Sequence, residues 1–177
     1  MRPVRPRGFP PLEHNTPLPE LNAPEGAEEA LVVYLRKSKR NIIGLIVHSS
    51  ATKARRKVSR ADLHQWHVVE RGWSDVGYHA FIHRDGTFEA LRDIDRDGAH
   101  AGGHNRNTIG IMLVGGLGDD TRPENNFTRA QFRTLRKVLT EQLEYYPDAY
   151  IKGHGDLKAT ACPSFDAQEW WESGVLV

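Results

Sequence analysis

Nine histidines and a single cysteine equip this sequence for metal chemistry, and three of those ten residues stand where it could be done. His154 lies between Gly153 and Gly155, and Cys162 follows it eight residues later, just before Pro163. Zinc takes imidazole and thiolate readily, and a catalytic zinc needs three protein ligands with a fourth position open. His48 offers a third ligand: it ends an apolar run and precedes Ser49-Ser50-Ala51-Thr52. A strand end where a loop begins is where an α/β sheet presents functional groups. Each residue also has a plainer reading. A lone cysteine is most often a small buried hydrophobe, and a histidine at a strand end can be a hydrogen-bonded edge residue. Spacing alone leaves both readings open. The zinc-protease pattern His-Glu-x-x-His is absent. His64 and His67 are three apart, but His67 shares an apolar helix face with Leu63 and reads as a core histidine. His79 and His83 read as structural, on the strand face opposite Tyr78, and His14 carries no signal.

The elements that must position these residues belong to an ordinary globular chain of 177 residues, 38% apolar and 27% charged. The balance of 24 basic against 23 acidic side chains argues against a dedicated nucleic-acid binder. One cysteine excludes an intrachain disulfide. The longest apolar stretches, Ile42–Val47 and Ile109–Gly118, fall short of the ~18 residues a membrane span needs. The amino terminus begins basic, Met1-Arg-Pro-Val-Arg-Pro-Arg-Gly, with no apolar stretch of the signal-peptide kind after it. Synthesis and first retention in a cytoplasm, as a monomer, are expected.

Seven of the ten prolines lie in residues 1–24, and proline removes a donor and fixes φ. This segment therefore reads as an extended arm, docked through Phe9 and its leucines or trailing, with docking the favoured reading. Residues 25–177 form the domain. Ala27 to Leu35 has helix formers, while Leu31–Leu35 also reads as a strand. Ile42–His48 is a buried strand. Ser59 can cap a helix to about Arg71, with Leu63, Trp66 and His67 on one face. Gly77–His83 and Thr87–Leu91 flank Arg84-Asp85-Gly86, an Asp-Gly hairpin signal. Ile109–Val114 is a central strand ended by Gly115-Gly116. Thr128-Arg-Ala-Gln131 is a capping box opening a helix with Phe132, Leu135, Leu139 and Leu143 in a stripe. Tyr150–Gly153 is a short strand, and Asp166 caps a last helix carrying Trp170 and Trp171. Strands alternating with helices predict an α/β fold, a single domain with a central mixed β-sheet flanked by helices.

Five ordered motifs carry a resemblance: Val47-His-Ser-Ser-Ala-Thr-Lys53, Trp73-Ser-Asp-Val-Gly-Tyr-His79, Arg84-Asp-Gly-Thr87, Asn107-Thr-Ile-Gly110 and Ala161-Cys-Pro-Ser-Phe-Asp166. Over roughly residues 40–172 the chain resembles the phage lysozyme-type N-acetylmuramoyl-L-alanine amidases, in the superfamily of type 2 amidases and peptidoglycan recognition proteins. The resemblance implies zinc held by His48, His154 and Cys162, and a groove for a glycan-peptide strand. It implies that the Tyr78 phenol lies beside the metal's water, to orient or deprotonate it. The water would cleave the amide joining the lactyl group of N-acetylmuramic acid to L-alanine. Cys162 as a nucleophile is the rival chemistry, but its proline neighbour and distant histidine fit a ligand better.

Two departures from the family pattern bear on catalysis. Many phage members have a lysine two residues before the ligand cysteine; Thr160 stands there, as in amidase-active recognition proteins. Either its hydroxyl or the ammonium of Lys158 would stabilise the oxyanion. Met112 occupies the place of a glutamate used by the branch that recycles cell-wall fragments. The loop His100-Ala-Gly-Gly-His104-Asn-Arg-Asn107 matches one that lines the substrate groove, with His100 the best match. Asn107 fits the groove or a turn equally. Residues 30–61 hold nine Lys or Arg and no acidic residue, notably Lys53-Ala-Arg-Arg-Lys57. That stretch is a solvated face or an attraction to anionic envelope polymers. The expected function is a zinc-dependent endolysin, held in the host cytoplasm and acting at the cell wall once released. The alternative on the same fold is a non-catalytic binder of peptidoglycan, or a regulator of a phage or host RNA polymerase.

Overall fold

A computed structural model describes residues 34–175. The arm at 1–24 and most of the ambiguous 27–35 stretch lie outside the described residues, and Tyr34 and Leu35 themselves lie in a bend. The strands are β1 (Gly44–Ser49), β2 (Thr52–Lys53), β3 (Ala80–Ile82), β4 (Phe88–Ala90), β5 (Thr108–Leu113), β6 (Gly116–Leu117) and β7 (Tyr150–Gly153). The helices are α1 (Arg60–His64), α2 (Arg129–Tyr145) and α3 (Ala167–Glu172). A five-stranded sheet runs in the order β4-β3-β5-β1-β7, with β2 and β6 forming a separate parallel pair. β1 lies parallel to β5 and β7, β5 parallel to β3, and β4 antiparallel to β3. The sheet is thus mixed and flanked by helices, as expected. β1 and β5 are buried along their whole length, which is why they read as continuous apolar runs.

The two faces of the sheet are packed differently. Leu45 and Val47 of β1 and Ile109, Ile111 and Leu113 of β5 share a large apolar core with Phe132, Leu135, Val138 and Leu139 of α2 and Trp170 of α3. Thr128 caps α2 reciprocally with Gln131, and Asp166 caps α3 by accepting the Glu169 N–H. The other face holds a smaller cluster of Met112, Val114 and Phe81 with Leu63, Val58 and Val76. Among the described residues no helix is long and apolar enough to cross a membrane.

Two expectations are corrected in detail. The helix from Ser59 keeps its capping box with Asp62, but α1 passes at Gln65 into a π turn ending at Val69. The apolar spacing of Leu63 and His67 fits either geometry, so the wider turn leaves no mark in the pattern. In the hairpin, β3 begins only at Ala80. Side-chain alternation therefore does not reach back to Tyr78, which packs in the same cluster as Phe81. Since the Phe81 ring lies 4.3 Å from that of His83, His83 shares the Tyr78 side rather than opposing it. His79 is fully buried: its N–H donates to the Gly110 carbonyl and its Nδ1 accepts the Gly110 N–H. That is the satisfied structural histidine expected.

Candidate metal centre

Strand register brings the first two donors together. Val47 pairs with Gly153 across the parallel β1–β7 ladder, so the next residues, His48 and His154, emerge side by side with ring centroids 4.7 Å apart. His48 is buried, 1% exposed. His154 opens a single 3-10 turn, His154–Asp156, whose entry is held by the Asp156 carboxylate accepting the Gly153 N–H at 2.9 Å. Cys162 comes from the following loop, which folds back so that the Gly155 N–H donates to the Cys162 carbonyl at 2.6 Å. Its Sγ lies 3.8 Å from His48 Nδ1. One donor atom from each of His48, His154 and Cys162 falls within 4.8 Å of the others. Zinc–nitrogen and zinc–sulfur bonds of ~2.0 and ~2.3 Å in a tetrahedron put neighbouring donors about 3.3 to 3.5 Å apart. The cluster is near that spacing.

The electrostatics suit a metal. Burial first, then His100 and His154, holds the His48 imidazole well below its ordinary pKa, so it stays neutral as a ligand must. Burial, then the charge of Lys158, lowers His154 as well. His154 Nε2 is buried with no hydrogen-bond partner among the described residues. Burial raises the Cys162 thiol, while Ser49 opposes it by aiming its backbone N–H (3.2 Å) and hydroxyl (3.7 Å) at the sulfur. Two donors directed at one sulfur, beside an imidazole nitrogen left without a partner, fit a thiolate–imidazole metal site.

The other expected site residues divide. The Tyr78 ring packs 5.1 Å from that of His48. Burial, and next the Cys162 thiolate, push its phenol well above the usual range. Thr160 is exposed, and its Oγ1 accepts the Cys162 N–H at 3.3 Å. Lys158 is exposed, its N–H donates to the His154 carbonyl, and its ammonium lies over Gly102. His100 is brought into the cluster, with Nδ1 3.0 Å from His48 Nε2. Asn107 is not. Its side chain donates to the Asn41 carbonyl at 2.7 Å, beside the start of β5. Met112, which pairs with His48, is roughly 16 Å further along that strand.

Two residues that hold the site were not singled out from the sequence. Ser49 directs its donors at Cys162, and its place beside His48 in a small polar run was the available signal. Asn105 fixes the loop by accepting the His100 and Ala101 N–H groups at 2.9 and 2.8 Å.

Comparison with known proteins follows the same residues. The family described as N-acetylmuramoyl-L-alanine amidase matches residues 38–165. The chain is 48% identical over 133 residues to an endolysin of Klebsiella phage KP32, covering 75% of this chain and 87% of that one. It is 45% identical over 141 residues to the endolysin of Escherichia phage T7, covering 80% and 93%. Among solved structures, the N-acetylmuramoyl-L-alanine amidase LysCS from Clostridium intestinale superposes with a TM-score of 0.61 at 27% identity, covering 70% of this chain and 76% of that one. Drosophila PGRP-LB, at 23% identity and a TM-score of 0.65 over 79% and 85% of the chains, shares the fold.

Proposed function

The chain belongs to the N-acetylmuramoyl-L-alanine amidase family, and from that premise we propose that it is a zinc-dependent endolysin. It hydrolyses the amide between the lactyl group of N-acetylmuramic acid and L-alanine of the stem peptide. One observation carries the metal reading: His48, His154 and Cys162 converge to within 4.8 Å beside the half-buried ring of Tyr78. Bound there, zinc would supply Lewis acidity, acidifying water and polarising the scissile carbonyl.

The chain's own residues do the rest. With its pKa raised by burial, the Tyr78 phenol stays protonated near neutral pH, which favours orienting the nucleophile over deprotonating it. Thr160 spends an Oγ1 lone pair on the Cys162 N–H, leaving its O–H to donate to the developing oxyanion. The Lys158 ammonium, exposed above Gly102, is the alternative donor and would bring a full charge. Met112 offers no carboxylate to act as a base. The cleavage adds water across one C–N bond, giving a lactyl carboxylate and a free L-alanine amine. The protein would act at the cell wall after leaving the host cytoplasm. No specific observation favours the binding-only or polymerase-regulating alternatives, since all three donors and Tyr78 are in place.

The test is digestion of purified sacculi by protein stripped with a chelator and by the same protein given zinc back. Mass spectrometry should find intact stem peptides beginning with L-alanine, released only with metal. Full activity without metal would overturn the zinc reading. Peptides starting elsewhere would overturn the bond assignment.

A further inference from the structure

His100 is 7% exposed although the residues that follow in its loop, Gly102, Gly103 and His104, are open to solvent. The protein gives up side chains to seat this ring. A Cβ on Gly110, in the middle of the fully buried β5, would lie 2.5 Å from His100 Cγ, and one on Gly98 would lie 2.3 Å from its Cδ2. Glycine weakens a strand interior and often marks a close approach; here the approach is by the imidazole. Asn105 clamps the backbone at the same point by accepting two successive N–H groups. The ring so fixed presents Nδ1 to His48 Nε2 at 3.0 Å.

We infer that His100 is a positioning residue for the metal ligand His48. It accepts the Nε2–H of His48 and so locks the tautomer whose Nδ1 lone pair faces Cys162. This rests on the metal reading above. A neutral imidazole has one N–H and one lone pair. The nitrogen of His48 facing the Cys162 sulfur is Nδ1, 3.8 Å away, so the proton belongs on Nε2. His100 must then accept at Nδ1 and carry its own proton on Nε2, which is buried and makes no well-formed hydrogen bond among the described residues. Ligating histidines as a rule give their second N–H to a carboxylate, a carbonyl or water. A neutral imidazole in that place holds the ring without adding negative charge beside the ligands.

The test measures metal binding rather than turnover. Zinc affinity is read by competition with a chromophoric chelator, and ligand geometry by the visible spectrum of the cobalt(II) form. His100→Phe, which keeps a ring but removes the acceptor, should weaken zinc binding roughly 10- to 100-fold and alter the cobalt spectrum. His100→Asn, whose Oδ1 can stand in for Nδ1, should keep most of the affinity. Should His100→Phe not fold, long-range proton–nitrogen correlation spectra of the zinc-loaded wild type report the tautomer directly. Protonation of His48 at Nε2 is expected, and protonation at Nδ1 would overturn the assignment. Unchanged affinity and cobalt spectrum in folded His100→Phe would overturn it alone. A wild type that binds no zinc would bring down this assignment and the metal reading together.

Discussion

Along β1, Leu45 and Val47 turn toward α2 and α3, while His48 turns away; along β5, Ile109, Ile111 and Leu113 face the helices, while Gly110 and Met112 do not. On the helix side the demand is for volume. Leu135, Val138 and Leu139 are wholly buried there, and the buried amides of Gln131 and Gln142 each donate to backbone carbonyls. On the site side the demand is for particular atoms: a nitrogen on His48, a sulfur on Cys162, an empty space at Gly110. β1 and β5 serve both, with Cys162 brought to them by the loop that follows the His154 turn. Tight packing on one face holds straight the backbone from which the donors hang on the other, so stability and function should be separable by substitution.

The largest separation is expected from Cys162→Ser. A hydroxyl is a poor zinc ligand near neutral pH, so metal retention and sacculus hydrolysis should both be lost. The unfolding midpoint of the metal-free protein should barely move, because Cys162 belongs to neither apolar cluster. Metal analysis and thermal unfolding on the same sample check both halves. Next comes Tyr78→Phe, which removes one oxygen and keeps the ring against His48. It should retain zinc and lose about 10²- to 10⁴-fold in turnover; unaltered turnover would remove Tyr78 from the chemistry and leave the metal site standing. The mirror experiment is Leu135→Ala on the helix face. It should cost about 2–5 kcal/mol in urea unfolding, while zinc affinity of the folded fraction stays at the wild-type value. A large loss of affinity there would mean that the faces are coupled.

The helix face was the more legible one in the sequence, because volume leaves a period. The stripe Phe132, Leu135, Leu139 and the capping box at Thr128 mark α2 to within a residue of its observed start. The candidate donors were legible for another reason: few residue types bind zinc, and His48, His154 and Cys162 each stand beside a break in the apolar pattern. What joins them was not legible. Ser49 and Asn105 act through hydrogen bonds between side chains and backbone, which have no sequence period. The neighbours of Tyr78 were misjudged because the strand starts at Ala80, and a pattern of alternation cannot reveal where pairing begins. Of the two readings open for Asn107, groove or turn, neither could be chosen from the sequence; its amide donates to the Asn41 carbonyl, a local contact.

Acid should also distinguish the faces. Burial holds His67 and His79 at about 4 against an ordinary 6.5. Below pH 6.5 the unfolded chain takes up protons that the folded one refuses until about pH 4. Stability is therefore complete above 6.5 and lost progressively as pH falls toward 4, by roughly 3 kcal/mol for each histidine at most. His67→Asn keeps an acceptor for the Gly77 N–H that Nδ1 now receives but cannot titrate. Its stability in urea should fall less steeply between pH 6.5 and 5 than the wild type's, whereas Leu135→Ala should lower the whole curve without changing its slope. Equal slopes in His67→Asn and the wild type would show that His67 already titrates normally in the folded state.

The smallest effect belongs to the basic stretch, which lies next in the chain after the site-bearing end of β1. Lys53, Arg55 and Arg56 line a surface hollow of about 580 Å³ together with Thr52, Trp66 and Leu117. Their partners hold them loosely. Arg55 meets Asp119 at 3.4 Å with both side chains mostly exposed, and Arg56 lies over the Trp66 ring at 5.3 Å while pairing with Asp62 at 3.6 Å. Exposed pairs of this kind are worth about 0–1 kcal/mol each, so reversing Arg55 and Arg56 to glutamate should leave folding and zinc binding intact. If the stretch draws the protein to anionic envelopes, adsorption to whole envelopes should weaken severalfold at low salt. The difference should close near 0.1 M, where exposed charges are screened over ~10 Å. Turnover on a small soluble muropeptide should stay within about twofold, because screening lengths of that order act on the approach rather than on the bond cleaved. Equal adsorption at low salt would reduce the stretch to a solvated surface. A parallel fall in muropeptide turnover would extend the substrate groove into the hollow and draw the site face past Ser49.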